Sequence, residues 1–529
     1  MTLQGLLLFI LIVQAVHFAG TWKLYIKAGR QAWEAAVPVY NAVILMKIIN
    51  RPWWYTLLLF VPIVNLIMFP VIWVETLRSF GKNKSHDTFL GIVTLGFYIY
   101  YINYIEDVNY VKDRDLHPRT NAGEWVSSIL FAVVAATLVH TYVMQPFTIP
   151  TSSLEKTLLV GDYLFVSKFH YGARTPMTPI ALPMVHDTIP FVKKKSYNPD
   201  LKSPYTRLPG FQSIKRNDIV VFNWPVDTLN AVGAPRLVDG LNHYKPIDKK
   251  TNYVKRCVGL PGDSLSVRDG YVHINGTQNV LPDRAKLQFG YYVGFSRFLT
   301  ERDLIYFNER FDISDVNQMA QDRPIYLLQM TDQAKEKFQN HPDVTDIVPL
   351  KGEAGVWDRG TFPYNPRYPW NNDHFGPIYI PQKGATVEIN TKTISLYKRI
   401  IEVYEGSEFG VDQTITESRN QVLLNGQPIT EYTFLQDYYW MMGDNRNNSE
   451  DARTWGFVPY NHVIGKPVFV WMSWDGKGDG FANKVRWERL FTTVGGSGEP
   501  VSYFKLFLGL LVAWFVFDFF RKRRKKAKA

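Results

Sequence analysis

"YVKRCVGLPGD", from Tyr253 to Asp263, reads as a β-strand that runs into a Pro-Gly-Asp turn. With a period of two, Tyr253, Lys255 and Cys257 share one face, and Val254, Arg256 and Val258 share the other. An apolar strand of this kind belongs in a sheet, yet it carries a lysine. Burial disfavours the ammonium form and lowers a lysine's pKa. Lys255 is therefore either an edge residue with its charge in water or a neutral amine held for chemistry. The strand alone leaves both readings open.

The surroundings of this stretch are also β-rich, from about residue 147 to residue 500. "DYLFVSKF" from Asp162, "NDIVVFNW" from Asn217 and "NYVKRCVGL" from Asn252 read as strands. "SLSVRDGYVHIN" from Ser264 reads as a hairpin turning at Asp269-Gly270. "VHINGTQ" at 272–278 and "VLLNGQP" at 422–428 echo one another as strand, Asn-Gly and strand. Segments 171–213 and 281–420, rich in Pro, Tyr and charge, read as insertions. "DGKGDG" at 475–480 hints at a calcium loop. Lys477 stands at a ligand position, however, and Arg486 stands where a bidentate Glu belongs, so a turn is expected.

Composition points to a membrane. Aromatic residues make up 15% of the 529, and the single cysteine, Cys257, excludes any intramolecular disulfide. The net charge is +11, and the tail "RKRRKKAKA" from Arg521 supplies seven of it, leaving +4 elsewhere. Basicity concentrated beside an apolar segment suits a membrane end rather than nucleic acid. Five stretches are candidates to cross or enter a bilayer: 2–22, 53–74, 88–105, 125–144 and 503–520. The stretch 88–105 has an interfacial or re-entrant alternative. The first lacks a basic start and an A-x-A site, so an uncleaved anchor is expected. Lys23, Lys27, Arg30, Lys47, Arg51 and the C-terminal tail should be cytoplasmic. Four spans before the β-rich region then put 147–500 outside. This topology leaves basic residues of the loop 75–87 on the wrong side.

The sequence lacks H-E-x-x-H, G-x-S-x-G and a Walker loop, and its eleven histidines show no metal spacing. Neither metal nor cofactor is expected. Cys257 reads as a packed cysteine. One set remains. "FTIPTSSLEKTLLVGDYLFV" from Phe147 offers Thr151, Ser152 and Ser153 just beyond the fourth apolar stretch. Lys255 follows, and then "GDNRNNSEDARTWGFVP" from Gly443. A desolvated lysine can activate a serine without any histidine.

These three stretches, in this order and after an apolar segment, resemble the characteristic boxes of bacterial type I signal peptidases, membrane-anchored serine proteases with a Ser/Lys dyad. "IPTSSLEKTL" is similar to the nucleophile box, "RNDIVVFNWP" with "YVKRCVGLPGD" to the lysine box, and "GDNRNNSEDARTWGFVP" with "VFVWMSWD" to the last box. The family's endoplasmic-reticulum branch has histidine in place of the lysine. The resemblance covers about 100 residues. It departs at Leu154, where the family usually has Met, and at Lys156, where it usually has Pro.

The resemblance implies Ser153 as nucleophile, Lys255 as general base, Thr151 as an oxyanion donor and Ser449 as the residue orienting the lysine. It implies pocket walls at Ile149 and Val254 for small side chains at −1 and −3, and a structural network of Asp444, Arg446, Asp451 and Arg453. Lowering the lysine pKa from about 10.4 to near 8 corresponds to roughly 3 kcal/mol of differential desolvation. The expected fold is a mainly β, signal-peptidase-like catalytic domain with large insertions, N-terminal transmembrane helices and one at the C-terminus. The expected division is 1–124 membrane region, 125–146 anchor, 147–280 first part of the core, 281–420 insertion, 421–500 last part, and 501–529 helix and tail. Secretory preproteins and the lipid bilayer are the expected partners. The expected location is the bacterial inner membrane, with the catalytic domain outside. The rivals are a silent scaffold that keeps the boxes as fold, and a related Ser/Lys enzyme with another substrate.

Overall fold

The computed structural model describes residues 3–118, 120–227, 245–418, 421–476 and 480–526. Thr2, Lys477 and the last three residues of the basic tail lie outside them. The chain forms two compact units, Met1–Val143 with Arg174–Arg207, and Met144–Ala173 with Leu208–Ala529.

The first unit is helical: α1 (Leu3–Lys27), α2 (Tyr40–Ile48), α3 (Tyr55–Leu58), α4 (Val64–Ser79), α5 (Ser85–Val93), α6 (Tyr98–Tyr104) and α7 (Asn121–Leu138). The Thr120 side chain caps α7 by accepting from the Gly123 amide. The helix continues through a π-helical turn, Val139–Val143. Among the described residues, Asn121–Val143 alone is both long and apolar enough to cross a membrane. That is fewer helices than the sequence suggested, and two of the differences have local causes. The stretch 53–74 is broken between α3 and α4. Pro62 supplies no amide hydrogen and disfavours helix at the preceding residue, and Ile63 then reverses the chain with φ 71°. The stretch 88–105 is a hairpin. Leu95 and Gly96 take φ of 52° and 86°, and the Gly96 amide donates back to the Gly91 carbonyl at 2.9 Å, a Schellman-type stop. Helices of nine and seven residues are about 10–13 Å long, against roughly 30 Å of hydrocarbon. The C-terminal helix Phe504–Lys526 is long enough, but Lys505 and Asp518 interrupt its apolar run.

Ion pairs gather the loops of this unit at one end. Lys27 meets Asp107 at 3.3 Å, Arg51 and Arg114 both meet Glu75, and Lys82 meets Glu106 at 2.5 Å. Arg174–Arg207 forms a two-stranded ribbon bridged at Arg174–Arg207, Ala181–Tyr197 and Thr188–Lys195. Ala181 and Tyr197 are buried together with Ile63.

The second unit is mainly β. Its principal sheet contains β1 (Met144–Thr148), β2 (Asp162–Ser167), β3 (Ile219–Asn223), β4 (Asn252–Gly259), β5 (Tyr438–Met442), β6 (Val458–Pro459), β7 (Val463–Ser473) and β8 (Thr492–Thr493). The order is β1-β2-β7-β3-β4-β5-β6, antiparallel throughout, with β8 also on β7. Phe222, Val258, Trp440, Met442 and Val463 are buried in its main core. The two Asn-Gly pairs of the sequence echo both turn hairpins, with φ of 51° and 86° at Asn275-Gly276 and of 50° and 82° at Asn425-Gly426.

Within 281–420 a small subdomain has a core of its own. Strands Phe289–Phe295, Val316–Gln318, Ile325–Met330 and Val344–Pro349 form an antiparallel sheet. Helices α8 (Glu301–Phe311) and α9 (Asp332–Phe338) cover it through Phe307 and Phe338, which pack on Val293 and Leu328.

Candidate active site

Lys255 lies on β4, between β3 and β5 in the sheet, so it is not an edge residue. It is 4% exposed, and its Nζ donates to Ser153 Oγ at 2.5 Å. Ser153 is itself buried, in the short 3₁₀ turn Ser152–Leu154 that follows β1. Burial pushes the Lys255 amine down to about 8, partly offset by the Asp451 and Glu450 carboxylates. The Tyr253 ring lies 5.6 Å from Nζ and stacks flat on Trp224. Cys257, on the same strand, is fully buried, and burial holds its thiol well above the ordinary range. It is a packed residue.

Thr151 precedes the serine turn in extended conformation, exposed, with its hydroxyl capping nothing. Ile149 is buried with Leu154, Leu158 and Leu164, and Val254 packs against the same cluster. Ser449 departs from expectation. Its Oγ is buried without a hydrogen-bond partner, so the bond to Lys255 implied by the family pattern is absent.

The loop 443–453 clamps the serine turn from below. The Asn445 amide donates to the Ser153 carbonyl at 3.1 Å, and Asn445 Nδ2 donates to the Ser152 carbonyl at 3.2 Å. Asn448 Nδ2 donates to Ser152 Oγ at 3.0 Å. Gly443 permits this approach, because a Cβ there would stand 2.6 Å from the Ser153 carbonyl oxygen. The loop is held by buried charge. Arg453 makes a two-pronged pair with Asp451, at 2.9 and 2.8 Å. Asp451 also accepts from the Gly443 amide. Arg256 pairs with Asp444 in the same way, at 2.8 and 2.6 Å, and Thr157 Oγ1 adds a third bond to that carboxylate. Burial alone would raise both carboxyls, but Arg256 and Arg453 override it and hold them below the usual range. Arg446 donates to the Gly270 carbonyl.

The sequence reading did not single out Arg256, Thr157, Gly443, Asn445 or Asn448. Arg256 had a signal: it is a second charge in an apolar strand, on the face opposite Lys255. The others work through backbone and amide contacts that leave no charge pattern in sequence.

The insertion also reaches the site. Lys156 Nζ pairs with Asp312, at the end of α8, at 2.7 Å, and Asn448 Nδ2 donates to Asp315 at 2.7 Å. Lys156 has φ 69°, which a proline ring forbids. This accounts for the departure from the usual proline.

Among the described residues, no group of His, Cys, Asp or Glu could hold a metal ion.

A family described as signal peptidase, peptidase S26, matches residues 122–291 and 379–474, stepping over most of the subdomain of α8 and α9. A family of unknown function matches residues 33–113. The chain is 24% identical to a signal peptidase I of Haemophilus influenzae over 386 residues, covering 72% of this chain and 78% of that one. It is 26% identical to a signal peptidase I of Helicobacter pylori over 382 residues, covering 70% and 91%. With its boxes in family order around a buried serine and lysine, the chain belongs to the signal peptidase family, peptidase S26, and is a serine protease.

Proposed function

We propose that this chain removes N-terminal signal peptides from exported preproteins, with Ser153 as nucleophile and Lys255 as general base. The 2.5 Å hydrogen bond between two buried side chains carries this reading, together with a lysine depressed to about 8. The neutral amine takes the Ser153 proton as Oγ attacks the scissile carbonyl, and it returns that proton to the leaving amine. Water then hydrolyses the acyl-enzyme with the same base. The Thr151 hydroxyl, free of other duties, and the Ser153 amide receive the developing oxyanion. Asp444, Arg446, Asp451 and Arg453 hold the loop beneath the nucleophile. Ile149 and Val254 form the walls facing substrate positions −1 and −3, restricting both to small side chains.

The test is cleavage of a secretory preprotein. Ser153→Ala and Lys255→Ala each abolish it while the fold survives. Lys255→Arg fails as well, because a guanidinium stays protonated. Thr151→Val lowers turnover roughly a hundredfold. A well-folded Ser153→Ala or Lys255→Ala variant with substantial activity removes the dyad, and a wild type silent on preproteins leaves the scaffold and the related Ser/Lys enzyme with another substrate.

The helical unit supports a reading of the arrangement in the membrane. In our reading α7 crosses the bilayer. So do α1, whose stretch 2–22 carries no Asp, Glu, Lys or Arg, and the C-terminal helix, whose Lys505 and Asp518 lie near the ends of its apolar stretch 503–520. The segments 53–79 and 85–105 instead enter and leave on one face. The ion pairs support this, because they bring Lys27, Arg51, Lys82 and Arg114 to one end. All the basic loops then face the cytoplasm, including 75–87. The β-rich unit, following α7, lies outside, and the basic tail lies inside.

A further inference from the structure

The ribbon Arg174–Arg207 has no part in the chemistry above. Exposure alternates along its first arm, which turns at Pro183-Met184: Leu182, Met184, His186, Thr188 and Pro190 are exposed, while the residues between them are less so. Leu182 and Met184 are 45% and 51% exposed. At the tip, Ile189 and Lys194 pair through their backbones, and the Lys193 amide donates to the Ile189 carbonyl. This tight turn projects Phe191, with no shielding at all, and Val192 at 58% exposure. Phe191 and Lys193 both take positive φ, 67° and 55°. Lys193, Lys194 and Lys195 follow immediately, all exposed, and none makes an ion pair among the described residues. The segment carries six basic residues against two acidic ones, Asp187 and Asp200.

An aromatic side chain held out in water is unfavourable unless something covers it. A collar of uncompensated lysines beside it selects an anionic cover. A phospholipid interface supplies both: acyl chains for Phe191 and Val192, and phosphates for the lysines. The location agrees. The ribbon packs through Ala181 and Tyr197 on Ile63, which immediately precedes α4. The ion pairs of Glu75 and Lys82 lie at and beyond the other end of that helix, which is about 24 Å long. The ribbon is therefore attached at the end of the helical unit opposite its basic loops.

We infer that the tip Pro190–Lys195 seats in the outer lipid interface, anchoring the ribbon to anionic phospholipid. This inference rests on the proposed topology for which leaflet the tip meets, and not for its contact with lipid.

The experiment uses the full chain with Cys257→Ser, labelled with an environment-sensitive fluorophore at Phe191→Cys and, as a control, at Asn340→Cys. The protein is reconstituted into vesicles of phosphatidylcholine with or without phosphatidylglycerol. Blue-shifted emission at 191 that is quenched by shallow spin-labelled lipid, with neither effect at 340, is the expected result. Replacing Lys193, Lys194 and Lys195 by Gln should weaken the effect in anionic vesicles, roughly fivefold in association for each charge removed near the surface, and much less in neutral ones. Emission at 191 quenched only by aqueous iodide in both vesicle types overturns the inference. Shielding that appears only when another protein is added does so too, because it assigns the tip to a protein partner. A separate label at Thr300→Cys reports the topology. Lipid contact at 191 with residue 300 on the cytoplasmic side would refute the topology and leave the tip's lipid contact standing.

Discussion

At the scale of single residues, the proposed dyad makes Lys255 and its surroundings bear on both activity and stability. Its amine loses its proton near pH 8 in the folded protein, well below its ordinary value, because it is buried. Only the neutral form can accept the serine proton, so kcat/KM should rise with pH through about 8 and level off above it. A profile with its acidic limb near pH 6 would assign the base elsewhere. The same depression destabilises the fold. Below pH 8 folded and unfolded chains both hold the proton, and the penalty for burying it is complete. Between about 8 and 10.5 only the unfolded chain binds it, so this group makes stability rise with pH. Lys255→Met should therefore be inactive and yet more stable at neutral pH, by up to roughly 3 kcal/mol, read from thermal unfolding in detergent. Ile149 supports a second expectation. Removing its branched wall with Ile149→Ala should admit larger residues at −1 or −3, read by mass spectrometry of products from a substrate library. Unchanged small-residue selectivity would place the wall elsewhere.

At the scale of elements, the serine turn is set by backbone conformation as much as by side chains. Lys156 sits at φ 69°, where glycine is comfortable and proline cannot go. The family's usual residue should therefore be the damaging one here. Lys156→Pro is expected to abolish cleavage, and Lys156→Gly to retain most of it despite losing the Asp312 pair. Comparable rates for the two variants would show that this turn is free to relax. The strand β4 was legible from its alternation and its turn, and so were the hairpins at Asp269-Gly270 and the two Asn-Gly pairs, because those φ values favour few residue types. The broken helices were not legible. Apolar content without charge counts equally for a crossing helix and for two short helices joined by Pro62 or Gly96. The site boxes were visible as motifs. The missing Ser449 bond and the supporting contacts of Asn445 and Asn448 were not, because they depend on how the 443–453 loop folds under the serine.

At the scale of the whole molecule, charge and connectivity together make a claim about sides. Single cysteines in a Cys257→Ser background should react with an impermeant reagent from outside at Thr300→Cys. They should react only after permeabilisation at Lys525→Cys and at Lys84→Cys. The last position separates the hairpin arrangement from four full crossings, which would put residue 84 outside. The sequence by itself determined the family resemblance: a serine, a lysine and a charged loop in family order, on a β-rich chain beside apolar segments. Those readings rest on side-chain type and periodicity, which are local properties. Only the tertiary structure decided that Lys255 is interior rather than at an edge, since a strand's neighbours are fixed by distant segments, here β3 and β5. The same holds for the counter-ion of Arg256. Burying a charge is tolerable only with a partner at hand, and the fold alone brings Asp444 to Arg256 across 188 residues of chain.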